Sequence, residues 1–492
     1  MESPSDQSLL SAAISQYREQ RYAEARSSLQ ALLLRSPGEV TGWNVLGYLE
    51  GDIGDAAAAA TAFDRALELR PDDPIALKGR ARVALERAER GVLDRYAAAL
   101  NVSPGDPYLL LERAEARLAA GDGGAIDEFA EIARRVPEWT DGQIALARML
   151  WESRRDEGFG DHIRLLLRRD PKRVDLWERY VGLVAGFGRF EAAADAARDA
   201  RAAAGGGDAL ALLEAVHAGR AGDIARAGRL LDSISPDFPG RRLHDAVHHI
   251  RRQELDLARS AIDQALAGNP SDIGTWAVAE LVYRKLGDDR SAWLSGQAGL
   301  VSTIDLALAP QRFAVIKTLL RRLHRHGVQM AEQSVRGGTQ TRWRLFDRPE
   351  PELAELKAAI EAALGDYVAA LPPADPGHPL LRHRDSPLTI TGSWSVRLTV
   401  SGYHVSHIHP KGLIGSACYF EVPEDPELSG GGALELGRPP PDLKLGLEPL
   451  HVVAPRPGLL VLFPSYLHHG TTPFTAGERL SVAFDVHRHP LA

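Results

Sequence analysis

Three histidines and one arginine carry the chemistry open to this chain. His407 and His409 stand two residues apart in the run His404-Val405-Ser406-His407-Ile408-His409-Pro410. On an extended strand alternate side chains share a face, so these two imidazoles point together. His404 has the opposite parity and is expected to face away unless the strand bulges. Imidazole suits iron, zinc, copper or nickel, and two such groups need a third ligand from elsewhere. The run Gly458–Thr471 supplies a histidine: an apolar stretch, Leu459 to Phe463, passes through Pro464-Ser465-Tyr466 to His468 and His469. Ten residues beyond His469 stands Arg479, then Leu480 and Ser481. Arg479 and Ser481 share parity; a guanidinium fork partners a carboxylate, and a hydroxyl adds a further hydrogen bond.

The third metal ligand has three solutions. His409 ligates and gives a neutral three-histidine site; an acid such as Glu421 or Glu435 completes a two-histidine, one-carboxylate set; or His409 stands behind a vacant position. Parity with His407 favours the first. The other histidines read as structural. His487-Arg488-His489 and His451 are expected at the surface, and His324 and His326 on the solvated face of a basic helix, Arg321 to His326. Arg336 with Gly337-Gly338 either frames the pocket or makes an ordinary turn, glycine permitting close approach. The single cysteine, Cys418, sits in an apolar run as a small buried side chain.

Alternation of apolar and polar residues predicts the strands that position this set: Thr391–Val400, Tyr403–His409, Leu413–Val422, Ala433–Leu436, Leu450–Val453, Gly458–Phe463 and Arg479–Val486. Short strands with glycine and proline punctuation indicate a jelly-roll, cupin-like barrel. Before them, Leu353, Leu356, Ile360, Leu364, Tyr367, Val368 and Leu371 follow three- and four-residue steps, which predicts a helix over 350–371.

The first three hundred residues follow another period. Prolines stand at Pro37, Pro71, Pro104, Pro137 and Pro171, at intervals of 34, 33, 33 and 34. The rung near 204 is missing, and Pro236 and Pro270 resume the ladder. Six residues after a rung comes a large apolar side chain: Trp43, Leu77, Leu110, Trp177 or Trp276. Within Val40–Pro71 the pattern Trp43, Leu46, Gly47, Ala59, Phe63, Ala66, Pro71 resembles the tetratricopeptide repeats, two antiparallel helices per unit. The resemblance implies an α-solenoid over residues 7–305, of about eight units and degenerate near 200–240. Its concave surface is expected to dock a peptide or partner protein.

The C-terminal pattern H-x-H, a long gap, F-P-S-[YW]-x-x-H-G and R-x-S resembles the bacterial 2-oxoglutarate/Fe(II)-dependent oxygenases that are often joined to such arrays. Matching runs are Gln333 to Thr341 and Gly392 to Leu398. The resemblance implies a double-stranded β-helix over 310–492 and a dioxygenase that uses Fe(II), 2-oxoglutarate and O2. It makes His407 and His469 iron ligands, with His469 chosen over His468 by the His-Gly pair. It places Arg479 and Ser481 on the distal carboxylate of 2-oxoglutarate, with Tyr419 as a further candidate. The wider superfamily carries H-x-[DE] where this chain has His407-Ile408-His409, so His409 as third ligand is a departure from its pattern. Hydroxylation of a peptide or protein side chain is the expected outcome. The alternatives are an adaptor with a degenerate barrel and a three-histidine cupin-type metalloenzyme without 2-oxoglutarate; neither needs a carboxylate clamp at Arg479.

The bulk numbers agree with this division. At 492 residues the chain exceeds a single core, by a soft prior of roughly 150 residues per domain. A net charge of −8 argues against a nucleic-acid grip, which needs clustered Lys and Arg. One thiol, no apolar run long enough to span a bilayer and no basic-apolar leader at Met1 to Asp6 lead to a cytoplasmic expectation and no membrane partner. Substrate identity and oligomeric state are left open.

Overall fold

The computed structural model describes residues 5–153, 158–325, 327, 333–423 and 431–490. Its first part is an α-solenoid of eighteen helices among these residues, Asp6–Arg18 through Arg290–Ser295, which fall into nine successive antiparallel pairs where about eight are expected. The proline ladder has a physical role. Each rung follows the end of a helix, and Trp43, Trp177 and Trp276 each donate an indole N–H to the carbonyl of the proline six residues earlier, at 2.9, 3.0 and 2.9 Å. The bond ties the start of each pair to the turn before it. Glycine and alanine let helices approach. A Cβ on Gly47 or Gly79 would fall 2.7 or 2.3 Å from the Phe63 ring, which fills the gap between them. The missing rung near 204 is replaced by Gly205, Gly206 and Gly207, all at positive φ, and the helix pair Asp208–Ala221 and Ile224–Ser233 still forms.

First helices of neighbouring pairs pack on one another, which puts them on the inner side of the curve. The second part of the chain meets that side. Trp343 packs against the array cluster that contains Ala81, Leu85, Tyr96 and Leu109, Arg342 pairs with Glu152, and Arg251 with Asp442. One hydrophobic core runs without a break from Ala246, through helix Pro351–Ala370, to Val486.

Among the described residues nine strands build two antiparallel sheets: β1 (Ser302–Asp305), β2 (Val335–Gln340), β3 (Leu388–His404), β4 (Ile414–Glu421), β5 (Leu434–Leu436), β6 (His451–Val453), β7 (Leu459–Pro464), β8 (His469–Thr471) and β9 (Arg479–Arg488). The large sheet has the order β1-β7-β4-β9-β3-β2 and the small one β6-β5-β8, facing each other as a jelly-roll, double-stranded β-helix. β1 pairs with β7, although it precedes residue 310.

Two strand readings are corrected. The stretches predicted over Thr391–Val400 and from Tyr403 form one strand, β3, interrupted by an irregularity at which Ser401 takes φ 65°. Regular strand then ends at His404, and Val405 to His409 is held by a single bridge, His407 to His469. Cys418 is fully buried, and burial pushes its thiol up to about 12.

Candidate active site

The bridge between His407 and His469 sets the site. His407 N–H donates to the His469 carbonyl (3.0 Å) and His469 N–H to the His407 carbonyl (2.9 Å). This is a hydrogen-bonded antiparallel pair, so the two rings lie side by side, with centroids 4.2 Å apart. His409 lies two residues on, just before a turn closed by Gly412 N–H to its carbonyl. It comes in beside them with its Nε2 3.2 Å from that of His407. One ring nitrogen from each of His407, His409 and His469 lies within 4.8 Å of the other two.

The remaining ring nitrogens are engaged. Nδ1–H of His407 donates to the Val405 carbonyl (2.8 Å) and that of His469 to the Leu467 carbonyl (3.0 Å). His409 Nδ1 bonds the Asp485 carboxylate. A carbonyl can only accept, so the tautomers of His407 and His469 are fixed, and three Nε2 lone pairs face a common point. Burial first, and His409 second, push His407 down to about 3; burial holds His469 well below its ordinary value. Neutral imidazoles with oriented second nitrogens are the donor set a divalent transition metal takes, so the residues fit an iron(II) ion.

The same cavity holds a second set of polar side chains. β9 alternates, and Arg479, Ser481, Ala483 and Asp485 all face one cavity of about 790 Å³ that also holds the histidines. Arg479 is 2% exposed, and among the described residues it forms no ion pair with a carboxylate. Its Nε and the Tyr419 hydroxyl are buried without a hydrogen-bond partner among the described residues. The guanidinium carbon stands 4.9 Å over the Tyr419 ring. A buried, unpaired cation is costly to keep, and a bound carboxylate would relieve that cost.

The structure brings all six expected residues, His407, His409, His469, Arg479, Ser481 and Tyr419, to this region. Other expectations change. His404 does not face away: it lines the cavity and stacks on His407 at 6.1 Å, with Nδ1 3.0 Å from Ser334 Oγ. Parity fails there because β3 ends at His404. Glu421 is taken by Lys317 and Arg321, and Glu435 by Arg438, so neither acid joins the cluster. His468 faces the opposite side and lines a second cavity with Asp442. His324 is buried, not solvated, between Thr339 Oγ1 (2.8 Å) and Ser395 Oγ (3.0 Å), and burial takes it down to about 4. His326 lies outside the described residues. Arg336 lines the cavity. Asp485 is the residue that sequence reading missed; extending the parity of Arg479 and Ser481 four residues further would have found it.

The jelly-roll with three convergent imidazoles above a buried guanidinium defines a metal-dependent, carboxylate-binding barrel. Residues 392–485 match the family model described as "Putative 2OG-Fe(II) oxygenase", and residues 10–74 and 46–100 that of the tetratricopeptide repeat. The chain therefore carries a 2-oxoglutarate/Fe(II) oxygenase domain, with Fe(II), 2-oxoglutarate and O2 as its cofactors, behind a tetratricopeptide array. Among curated proteins none matches the chain. Three solved structures illustrate what the two parts are similar to. The viral collagen prolyl hydroxylase of Paramecium Bursaria Chlorella virus-1 is 16% identical, with 38% of this chain and 95% of that one covered and a TM-score of 0.27. A Pseudomonas putida prolyl-4-hydroxylase is 17% identical, with 38% and 92% covered and a TM-score of 0.28. Yeast Tom70 is 14% identical, with 54% and 61% covered and a TM-score of 0.38.

Proposed function

We propose that the protein is a 2-oxoglutarate-dependent dioxygenase that hydroxylates a peptide or protein side chain, with the catalytic barrel at 310–492 and the array at 7–305. The observation that carries the reading is one cavity in which three Nε2 atoms converge beside a buried guanidinium that has no carboxylate partner among the described residues. His407, His409 and His469 hold the metal in a neutral three-histidine set, and Asp485 keeps His409 in the tautomer that presents Nε2. Arg479 receives the distal carboxylate of 2-oxoglutarate as a bidentate fork, and Ser481 adds a hydroxyl. Tyr419 supports the guanidinium from beneath. When bound, iron(II) and 2-oxoglutarate supply the O2-dependent oxidation that converts a substrate C–H bond to C–OH. The chain's own part is to orient both, exclude water and place the target carbon.

Neither an adaptor nor a cupin that works without 2-oxoglutarate accounts for a buried Arg479. The test is an anaerobic titration of the metal-free protein with Fe(II) and then 2-oxoglutarate. A saturable visible charge-transfer band that is absent in His407→Ala is expected; folded protein that takes up no metal and gives no band would leave the adaptor reading.

A further inference from the structure

The repeat period of the array reaches the catalytic cavity. The last turns of five successive first helices carry, in equivalent places, Glu152, Gly186, Arg220, Arg251 and Arg284, at intervals of 34, 34, 31 and 33. These ends face the barrel. Glu152 pairs with Arg342, Arg251 with Asp442 at 2.6 Å, and Arg284 donates to the Gly437 and Glu448 carbonyls. Gly186 has no side chain and leaves room. Arg220 alone in this series has a charge and no hydrogen-bond or ion-pair partner among the described residues. Its guanidinium stacks 3.9 Å over the Phe190 ring and lines the cavity wall beside Ala185 and Gly186. The nearby Asp442 is occupied by Arg251.

Arg336 and Lys411 of the barrel line the same cavity as Arg220. Among the described residues Arg336 Nη1 donates to the Gln333 and Val335 carbonyls, at 2.8 and 2.9 Å, and to no carboxylate. Its aim comes from a bulge: Gly337 has φ 69°, and a Cβ on Gly338 would fall 2.5 Å from the Arg397 carbonyl. Among the described residues Asp485 is the sole carboxylate on the wall, and it is bound to His409. Iron(II) and 2-oxoglutarate together add no net charge, and Asp485 offsets Arg479. Arg220, Arg336 and Lys411 remain, three positive charges in a chain of net −8. Such a cleft concentrates anions. It is also elongated, for at Arg220 and Ser406 it adjoins the second cavity, of about 230 Å³, along the seam between array and barrel.

We propose that the substrate is an acidic peptide segment, gripped through its carboxylates by Arg220 of the array and by Arg336 and Lys411 of the barrel, so that the array is one wall of the substrate site. This rests on the oxygenase reading for the reaction, but the charge of the cleft is tested separately. Fluorescein-labelled hexaglutamate is titrated into the full-length protein loaded anaerobically with Fe(II) and 2-oxoglutarate, and anisotropy is read at low and moderate salt. Saturable binding that weakens with salt is expected, with none for labelled hexalysine. Arg220→Gln/Arg336→Gln should weaken it more than tenfold while the charge-transfer band persists, and Arg220→Glu/Arg336→Glu should bind hexalysine instead. Equal binding of the two peptides, or an unweakened glutamine variant, overturns the proposal. Displacement by free glutamate at equal carboxylate concentration would overturn the peptide in favour of a small acid. A missing band with hexaglutamate still bound would count against the oxygenase reading alone and support the cleft.

Discussion

Replacing Arg479 with methionine separates ligand binding from folding, because the two effects have opposite signs. The native guanidinium is 2% exposed and stacks over Tyr419, without a carboxylate partner among the described residues. Hydrogen bonds to charged groups contribute about 1.5–3 kcal/mol each. A bidentate fork to the distal carboxylate of 2-oxoglutarate is therefore worth about 3 kcal/mol at the low end. At 1.4 kcal/mol per tenfold, its loss raises the Kd for 2-oxoglutarate about a hundredfold. The ligand-free protein behaves otherwise. An unpaired buried charge is a liability, and an apolar side chain of similar length is neutral or stabilising there. Arg479→Met should thus leave the Tm of the apo-protein unchanged or raised, leave Fe(II) uptake intact and shift the anaerobic 2-oxoglutarate titration far to the right. Isothermal calorimetry and thermal melts on one preparation read all three. An affinity for 2-oxoglutarate within about threefold of wild type would refute the clamp. A large fall in apo Tm would refute the argument that the cation awaits a ligand.

Asp485→Asn should lower Fe(II) affinity about 10- to 100-fold, the usual effect of removing the carboxylate behind a metal-binding imidazole, as followed by competition with a chromogenic chelator. His469→Ala should abolish Fe(II) loading and His468→Ala should not, since His468 faces the second cavity; metal content after desalting decides, and the reverse pattern would refute the assignment. Acid should unfold the apo-protein early. His407 is held near 3 and His324 and His468 near 4, all below the ordinary 6.5, chiefly by burial. A depressed imidazole contributes stability that is fully present above pH 6.5 and is lost as pH falls towards its folded value. Each contributes a slope of about 1.4 kcal/mol per pH unit within that window. Denaturant midpoints should therefore fall between pH 6.5 and 4, and a flat profile there would refute the buried neutral state.

The sequence by itself determined the two halves and most of the chemistry. A period near 34 marks stacked helix pairs, because proline cannot donate within a helix and ends it. The spacing of six from proline to tryptophan also carried a bond, indole to carbonyl, that only the structure revealed. Apolar runs marked β4 and β7, which are buried on both faces at nearly every position, and alternation marked β9, where Arg479, Ser481, Ala483 and Asp485 share a face. Along β9 that parity correctly placed Arg479 with Ser481, and it would have reached Asp485. Where regular strand ends, parity failed for His404, which turned into the cavity, and held for His409, which lies beside His407 as their shared parity implied. The choice among His409, Glu421 and Glu435 was likewise tertiary, because Lys317, Arg321 and Arg438 stand beside the two acids only after folding. No local pattern told that His324 is buried under β2 and β3, or that Arg220 of the array faces the catalytic cavity. Such contacts join residues far apart in the chain, and their geometry follows from how the superhelix curves around the barrel, a sum of many small packing angles that no single segment encodes.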